Sequence, residues 1–325
     1  MNNTIFIGPF ASHIKNHVLL KQAIGYKYKT ESKHLLRFSV FTAKKYPKAT
    51  KLSKEIVLDW CSKKTYESQN NQLARASMIR QLCVYIEGLQ PGVYMLPKGC
   101  YSKKTHYVPY IYTKGELQRF FNETDNCHYV SECPCRHLIM PIFFRMIYFC
   151  GLRPSEARLL KTEDVDLKLG ILSILHSKND KSRLIPVSDK LKQLCCKYFE
   201  AGHTFFKDND YFFPGLSGKP MTKGNVYHNF RRFLWKAGIS HGGRGKGPRI
   251  IDFRHSYACH CLKKWVKQGK DLTAYLPLLK TYMGHNTFTE TAYYLRMTAD
   301  VFPDIVIKLE GFYPDIVPLL KEDIQ

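Results

Sequence analysis

Apolar residues recur at helical spacing through the first third of the chain. In His34-Leu35-Leu36-Arg37-Phe38-Ser39-Val40-Phe41 they fall along one side of a helix. Ser53 has the character of an N-cap for a helix over 54–63, where Val57 and Trp60 share a face. The pattern runs on from Asn71 to Leu89 through Leu73, Ile79, Leu82 and Ile86. Together these predict a helical module over residues 1–97. Turn formers then take over from Gln90-Pro91-Gly92 to Pro109, a stretch that also holds Tyr101, Lys103, Lys104 and Tyr107. It reads as an extended basic linker, placed at 98–110. Helical patterning resumes after Thr113, a second N-cap candidate, and recurs at Lys190–Tyr198 and Asn225–Ala237. Between these, the β-rich runs Gly170–Leu175 and Arg183–Val187 flank Ser177–Ser182 and predict a hairpin. The expected fold class is mainly α with a small antiparallel β-sheet (α+β), the second domain covering 111–325. A chain of 325 residues fits two domains at roughly 150 each.

Charge narrows the partner. Fifty Lys and Arg against 27 Asp and Glu give a formal net charge of +23, which attracts polyanions and makes their binding salt-dependent. Nucleic acid is the expected partner and a membrane is not. No apolar run nears the roughly 18 residues of a span, and even Leu138–Leu152 carries Arg145. The start, Met1-Asn2-Asn3-Thr4, lacks the charged region of a secretory signal. Eleven scattered cysteines suit a reducing compartment, so a cytoplasmic location is expected. Cys127-His128 with Cys133, Cys135 and His137, and Cys259-His260-Cys261, lack a paired C-x2-C framework and read as buried thiols, with no metal expected.

Lys27, Lys29, Lys33, Arg37, Arg75 and Arg80 lie between the apolar rows of the first module, as either a solvated helix face or a surface for DNA. His241-Gly242-Gly243-Arg244-Gly245-Lys246-Gly247 lacks the Ser or Thr and the first glycine of a P-loop. It reads as a flexible basic loop, followed by Arg249, and implies no nucleotide cofactor.

Four stretches carry candidate chemistry. They are Gly151-Leu152-Arg153-Pro154-Ser155-Glu156-Ala157, His176-Ser177-Lys178-Asn179-Asp180-Lys181, Asp252-Phe253-Arg254-His255, and Met283-Gly284-His285 with Tyr294 nine residues on. In this order the chain resembles the tyrosine recombinases of the phage-integrase family, which cut and rejoin DNA through a phosphotyrosine bond. The resemblance extends over essentially the whole chain, including Leu20–Lys27, Tyr211-Phe212-Phe213-Pro214 and Phe230–Gly238. It implies a helical core-binding domain and a catalytic domain that clamp DNA in a C shape. It further implies a bacterial, nucleoid-associated integrase or transposase of a mobile element. A homotetramer on DNA would form through the tail that holds Val301, Phe302, Ile305 and Leu309, and there is room for an accessory DNA-bending or directionality protein.

The roles follow from the chemistry of phosphoryl transfer. Arginine's planar fork matches two phosphate oxygens, so fixed cations can neutralise the transition state without a metal. Arg153, just before Pro154 at a helix start, suits that task, and by the resemblance Arg254 would form the other half of the clamp. Lys178, in the hairpin turn, would protonate the leaving oxygen; Lys181 competes with it, and Arg183 follows on the next strand. By the resemblance, His285 would donate to the phosphate and Tyr294 would attack it, with adjacent Tyr293 facing about 100° away. One position departs from the family pattern, which usually has histidine where Ile251 stands. Losing such a donor costs roughly 2 to 4 kcal/mol of transition-state stabilisation. Three readings stay open: compensation by Arg249 or His255, a slow enzyme, or an inactive DNA-binding variant. A topoisomerase of related chemistry is a further rival.

Overall fold

The computed structural model of the chain describes residues 5–101, 107–175, 182–203, 210–215, 218–243 and 246–299. Two compact units meet in sequence between Tyr107 and Val108.

Four helices make the first unit: α1 (Ala11–Ala23), α2 (Lys29–Lys45), α3 (Lys54–Cys61) and α4 (Gln69–Glu87). Serine hydroxyls start two of them. Ser53 accepts from the Ile56 amide and Ser68 from the Asn71 amide, satisfying donors that the helix itself leaves unpaired. Their apolar faces close over Ile14, Leu35, Phe38, Trp60, Ile79 and Leu82, all buried. The segment after α4 is not wholly a free linker. Val93 and Leu96 are buried in this core, and the Tyr94 amide donates to the Leu52 carbonyl at 2.9 Å.

Two of the basic residues expected on the surface have other duties. Arg75 is 5 % exposed. Its guanidinium donates to Glu67, to the Ser62 carbonyl at 2.9 Å and to the Trp60 carbonyl, and lies over the Trp60 ring. Arg80 donates to the carbonyls of Leu96 and Pro97 at 2.8 and 2.7 Å, fastening the exit segment to α4. Both are internal braces, tied to main-chain carbonyl oxygens of their own unit. By contrast Lys29, Lys33 and Arg37 are exposed and recur every four residues along one side of α2, and Lys27 is exposed just before it.

The second unit is mainly helical around a small sheet. Its elements are α5 (Lys114–Asp125), α6 (Arg136–Phe149), α7 (Pro154–Leu159), strands β1 (Val165–Asp166), β2 (Ile171–Ile174) and β3 (Arg183–Pro186), α8 (Asp189–His203), α9 (Lys223–Lys236), α10 (Asp252–Lys267), α11 (Leu272–Met283) and α12 (Phe288–Ala299). The strands are antiparallel in the order β1-β2-β3, with Leu172 opposite Ile185. The expected hairpin is β2 and β3; β1 adds a third strand that its two residues do not announce. Thr113 and Glu116 form a reciprocal capping box at the start of α5.

Aromatic rings fill the core. Phe253 stacks on Tyr112 at 4.7 Å and meets Phe120 at 4.9 Å and Phe230 at 5.9 Å. The residue after it is Arg254, so core packing fixes the start of α10 and with it the direction of that arginine. Further along, Ser256 accepts from the Tyr112 amide at 2.9 Å, which pins the entry to this unit against the same helix.

Candidate active site

Two loops with backbone left-handed at glycine bring the site together. Gly151 (φ +58°) ends the turn after α6, and a Cβ there would lie 3.0 Å from both Met283 Sδ and the Tyr257 ring. Gly284 (φ +62°) caps α11, with the Arg183 side chain 3.0 Å from its Cβ position. Only glycine meets both demands, and the two loops therefore press against one another.

Arg153 stands at the N-cap of α7. Its amide and its guanidinium both reach Glu156, at 2.8 and 2.7 Å, while Nη2 donates to the Gly284 carbonyl at 3.0 Å. Arg254 is 2 % exposed, with Nη1 donating to the Gly151 carbonyl at 2.6 Å and Nη2 to the Met283 carbonyl. Burial foremost, then the charge on Arg153, lowers its pKa to about 10, so it stays cationic at neutral pH.

Glu156 was not singled out for a role from the sequence, though it sits at the capping-box position three residues into the Arg153 motif. Its carboxylate accepts from Arg153 and Arg183 and lies 3.9 Å from Arg254. Burial alone would raise its pKa, but the hydrogen bonds and charge of Arg183, with help from Arg153, bring it down to about 2. Arg183, a basic residue that the pattern alone would leave open to DNA, is instead a buried brace. It pairs with Glu156 at 2.8 Å and donates through Nε to the Tyr282 carbonyl at 2.9 Å.

His285 is buried behind Gly284, and its Nδ1 lies 2.8 Å from the Thr291 hydroxyl. Burial, then Arg254 and Arg153, depress its pKa to about 3, so the ring is neutral at neutral pH. Tyr294 lies on α12 and is 3 % exposed, packed with Cys259, Leu262, Leu279 and Met283. Its ring stacks near His285 at 5.8 Å, and its hydroxyl is 3.0 Å from His255 Nδ1. Burial pushes its pKa up to about 12 against the opposing pull of Arg254. Tyr293 is more open, its ring 6.1 Å from that of Tyr294.

These groups share a cleft of about 530 Å³ lined by Arg153, Ile251, Arg254, His255, His285 and Tyr294, among others. Lys178 and Lys181 lie outside the described residues, between β2 and β3. So do Lys103, Lys104, Arg244 and the tail residues Val301, Phe302, Ile305 and Leu309.

A second cleft of about 900 Å³ adjoins the first, since Pro154 and Ile250 line it next to Arg153 and Ile251. Arg158, Lys223, Arg231, Lys246 and Arg249 give it a basic lining. Arg249 also pairs with buried Asp252 at 3.7 Å, across the start of α10.

Only part of the two cysteine clusters is buried as expected, since Cys127, Cys133 and Cys261 are half-buried. Cys135 joins the main core, Cys259 the small cluster around Tyr294, and His260 Nδ1 lies 2.8 Å from the Tyr148 hydroxyl. Among the described residues no group of three or more His, Cys, Asp or Glu could hold a metal ion. Nor is any described helix long and apolar enough to cross a membrane.

An arginine pair, two histidines and a buried tyrosine thus line one cleft on a mainly helical domain. The profile of the phage integrase family matches residues 112–300, which hold that whole cleft, and the chain belongs to this family, the tyrosine recombinases. The integrase/recombinase y4rB of Sinorhizobium fredii is 25 % identical over 313 residues, covering 94 % of this chain and 98 % of that protein. Tyrosine recombinase XerD of Proteus mirabilis is 30 % identical over 158 residues, 48 % of this chain and 46 % of its own length. Among solved structures, the XerH site-specific recombinase bound to its difH substrate after cleavage matches with a TM-score of 0.62. It is 20 % identical, covering 88 % of this chain and 78 % of that one. The Tn1549 transposon integrase in complex with a circular-intermediate DNA matches at 0.59 and 14 % identity, over 87 % and 94 %. These last two likenesses speak to the fold.

Proposed function

We propose that this chain recombines double-stranded DNA at specific sites by attack of Tyr294 on a backbone phosphorus. The attack leaves a 3′-phosphotyrosyl bond and a free 5′-hydroxyl. Arg153 and Arg254 hold the non-bridging oxygens and neutralise the charge that grows on them. Both side chains are held in fixed planes by carbonyl oxygens before DNA arrives, so little reorganisation is needed at the moment of reaction. His285 donates to a phosphate oxygen, and Lys178 protonates the departing 5′ oxygen. No metal or nucleotide takes part in this scheme. The adjoining basic cleft, with Lys246 and Arg249, receives the neighbouring DNA backbone, and the first unit adds the exposed row Lys29, Lys33 and Arg37. Residues 1–97 would then serve as a core-binding domain, and 111–325 as the catalytic domain. The working form would be a homotetramer on DNA in a bacterial cytoplasm.

One observation carries the reading: four groups from separate stretches of sequence, Arg153, Arg254, His285 and Tyr294, line one cleft. The test is denaturant trapping of protein on supercoiled DNA that carries the flanks of this chain's own gene, followed by peptide mapping. The unaltered protein is expected to form an adduct on Tyr294, and Tyr294→Phe none. Ile251 favours a second reading, a DNA-binding protein without catalysis. Retention of the same DNA with no adduct from the unaltered protein would establish that one instead.

A further inference from the structure

Ile251 sits at the N-cap of α10 and lines the cleft with a side chain that can neither donate nor accept a proton. His255 comes four residues later, one turn along the same face, and its amide donates to the Ile251 carbonyl at 3.3 Å. A helical side chain tilts toward the N-terminus of its helix, so this imidazole leans back toward the place Ile251 leaves apolar. Its Nδ1 lies 3.0 Å from the Tyr294 hydroxyl, with the two rings 5.6 Å apart. The other histidine of the cleft, His285, spends its Nδ1 on Thr291.

We propose that His255 is the general base for Tyr294, taking the phenolic proton as the tyrosine oxygen attacks phosphorus. The assignment rests on the recombinase reading above. In the step, the Tyr294 O–H bond breaks and its proton passes to Nδ1. The oxygen's electron pair forms the new bond to phosphorus, and the P–O5′ bond breaks. The leaving oxygen takes its proton from Lys178. Rejoining runs the same path backwards, His255 returning the proton to the departing phenolate.

The surroundings set the charge of the ring. Burial, then the charges of Arg254 and Arg249, lower the pKa of His255 to about 4, which keeps the ring neutral at neutral pH and also makes it a weak base in the absence of DNA. An imidazolium beside those arginines is disfavoured until a phosphodiester arrives. Its negative charge, set against Arg153 and Arg254, offsets the cations and strengthens the base only when substrate is bound.

Full-length protein is compared with His255→Ala, His255→Gln and the double variant Ile251→His/His255→Ala on the same flanking-DNA plasmid. Adduct formation is timed at saturating protein, and DNA retention is followed alongside. His255→Ala is expected to slow the adduct by about 100-fold or more with retention unchanged. Imidazole added to the buffer should recover part of the rate. Glutamine, which hydrogen-bonds but accepts no proton at neutral pH, should stay slow, and Ile251→His should restore the alanine variant. A wild-type rate in either single variant overturns the assignment, as does a slow alanine variant that imidazole leaves unmoved.

A measurement on the unaltered protein guards against misfolded variants. Nitrogen NMR of the His255 ring should show Nδ1 unprotonated and Nε2 bearing the proton; a protonated Nδ1 overturns the proposal. Bound DNA with no adduct from the unaltered protein defeats the recombinase reading itself. An adduct that survives His255→Ala undiminished defeats only this inference.

Discussion

Three guanidinium groups face the Glu156 carboxylate, from Arg153 at 2.7 Å, Arg183 at 2.8 Å and Arg254 at 3.9 Å. One buried anion thus holds three cations in place, of which Arg153 and Arg254 line the cleft. Glu156→Gln should destabilise the second unit by about 3–5 kcal/mol, because it leaves buried charges without their partner. Chemical denaturation would measure it. The sign with pH is also set. The folded pKa of about 2 lies below the ordinary 4.5, so the carboxylate's contribution is complete above about pH 4.5 and is lost as pH falls toward 2. The variant should lose that dependence. His285 acts at milder acidity. It is neutral when folded, down to about pH 3, but binds a proton near 6.5 when unfolded, so stability should fall as pH drops below 6.5. Melting curves from pH 7 to 4 should show a slope up to about 1.4 kcal/mol per pH unit from this one group, absent in His285→Asn. At this scale the motif arginines could be read from their neighbours in sequence. Arg75, Arg80 and Arg183 could not, since the carbonyls and carboxylate that claim them lie up to 99 residues away.

Helix α10 links core and cleft through consecutive residues, Phe253 turned into the aromatic core and Arg254 toward the site. Phe253→Ala should cost about 3–5 kcal/mol in stability. It should also weaken adduct formation beyond that loss, because the start of α10 would no longer hold Arg254 against Gly151. Rates compared at a temperature where the variant remains folded would separate the two effects. The capped helices were legible locally, since Ser53 and Thr113 act on amides three residues away. So was the pairing of β2 with β3, whose two β-rich runs flank a polar stretch of sequence. Strand β1 was not, because two residues carry no period and their pairing depends on the position of β2. The exit from α4 reads as linker in sequence because its turn formers are plain, whereas the burial of Val93 and Leu96 depends on grooves made by other helices.

For the molecule as a whole, a formal charge of +23 predicts DNA affinity that falls steeply with salt. Replacing Lys29, Lys33 and Arg37 together with alanine should reduce the slope of log affinity against log salt by about 3 and leave stability nearly unchanged. Arg75→Ala should do the reverse, lowering the melting temperature of the first unit while sparing the slope of whatever protein remains folded. Filter binding across a salt series, paired with melting curves, tests both. If the α2 triple variant kept the full slope, the row would be an ordinary solvated face.

Local pattern was enough for the mainly α class with its small sheet, the helix starts, the excess of positive charge and the ordered motifs that mark the family. Each depends on residues near one another in the chain or on composition alone. Three-dimensional packing decided which cations stay free and which are consumed, since burial and carbonyl partners come from remote segments. It also decided that Glu156 centres the arginines and that His255 meets Tyr294. Those two residues are 39 apart in sequence and 3.0 Å apart in space, a juxtaposition that exists only once α10 and α12 have packed.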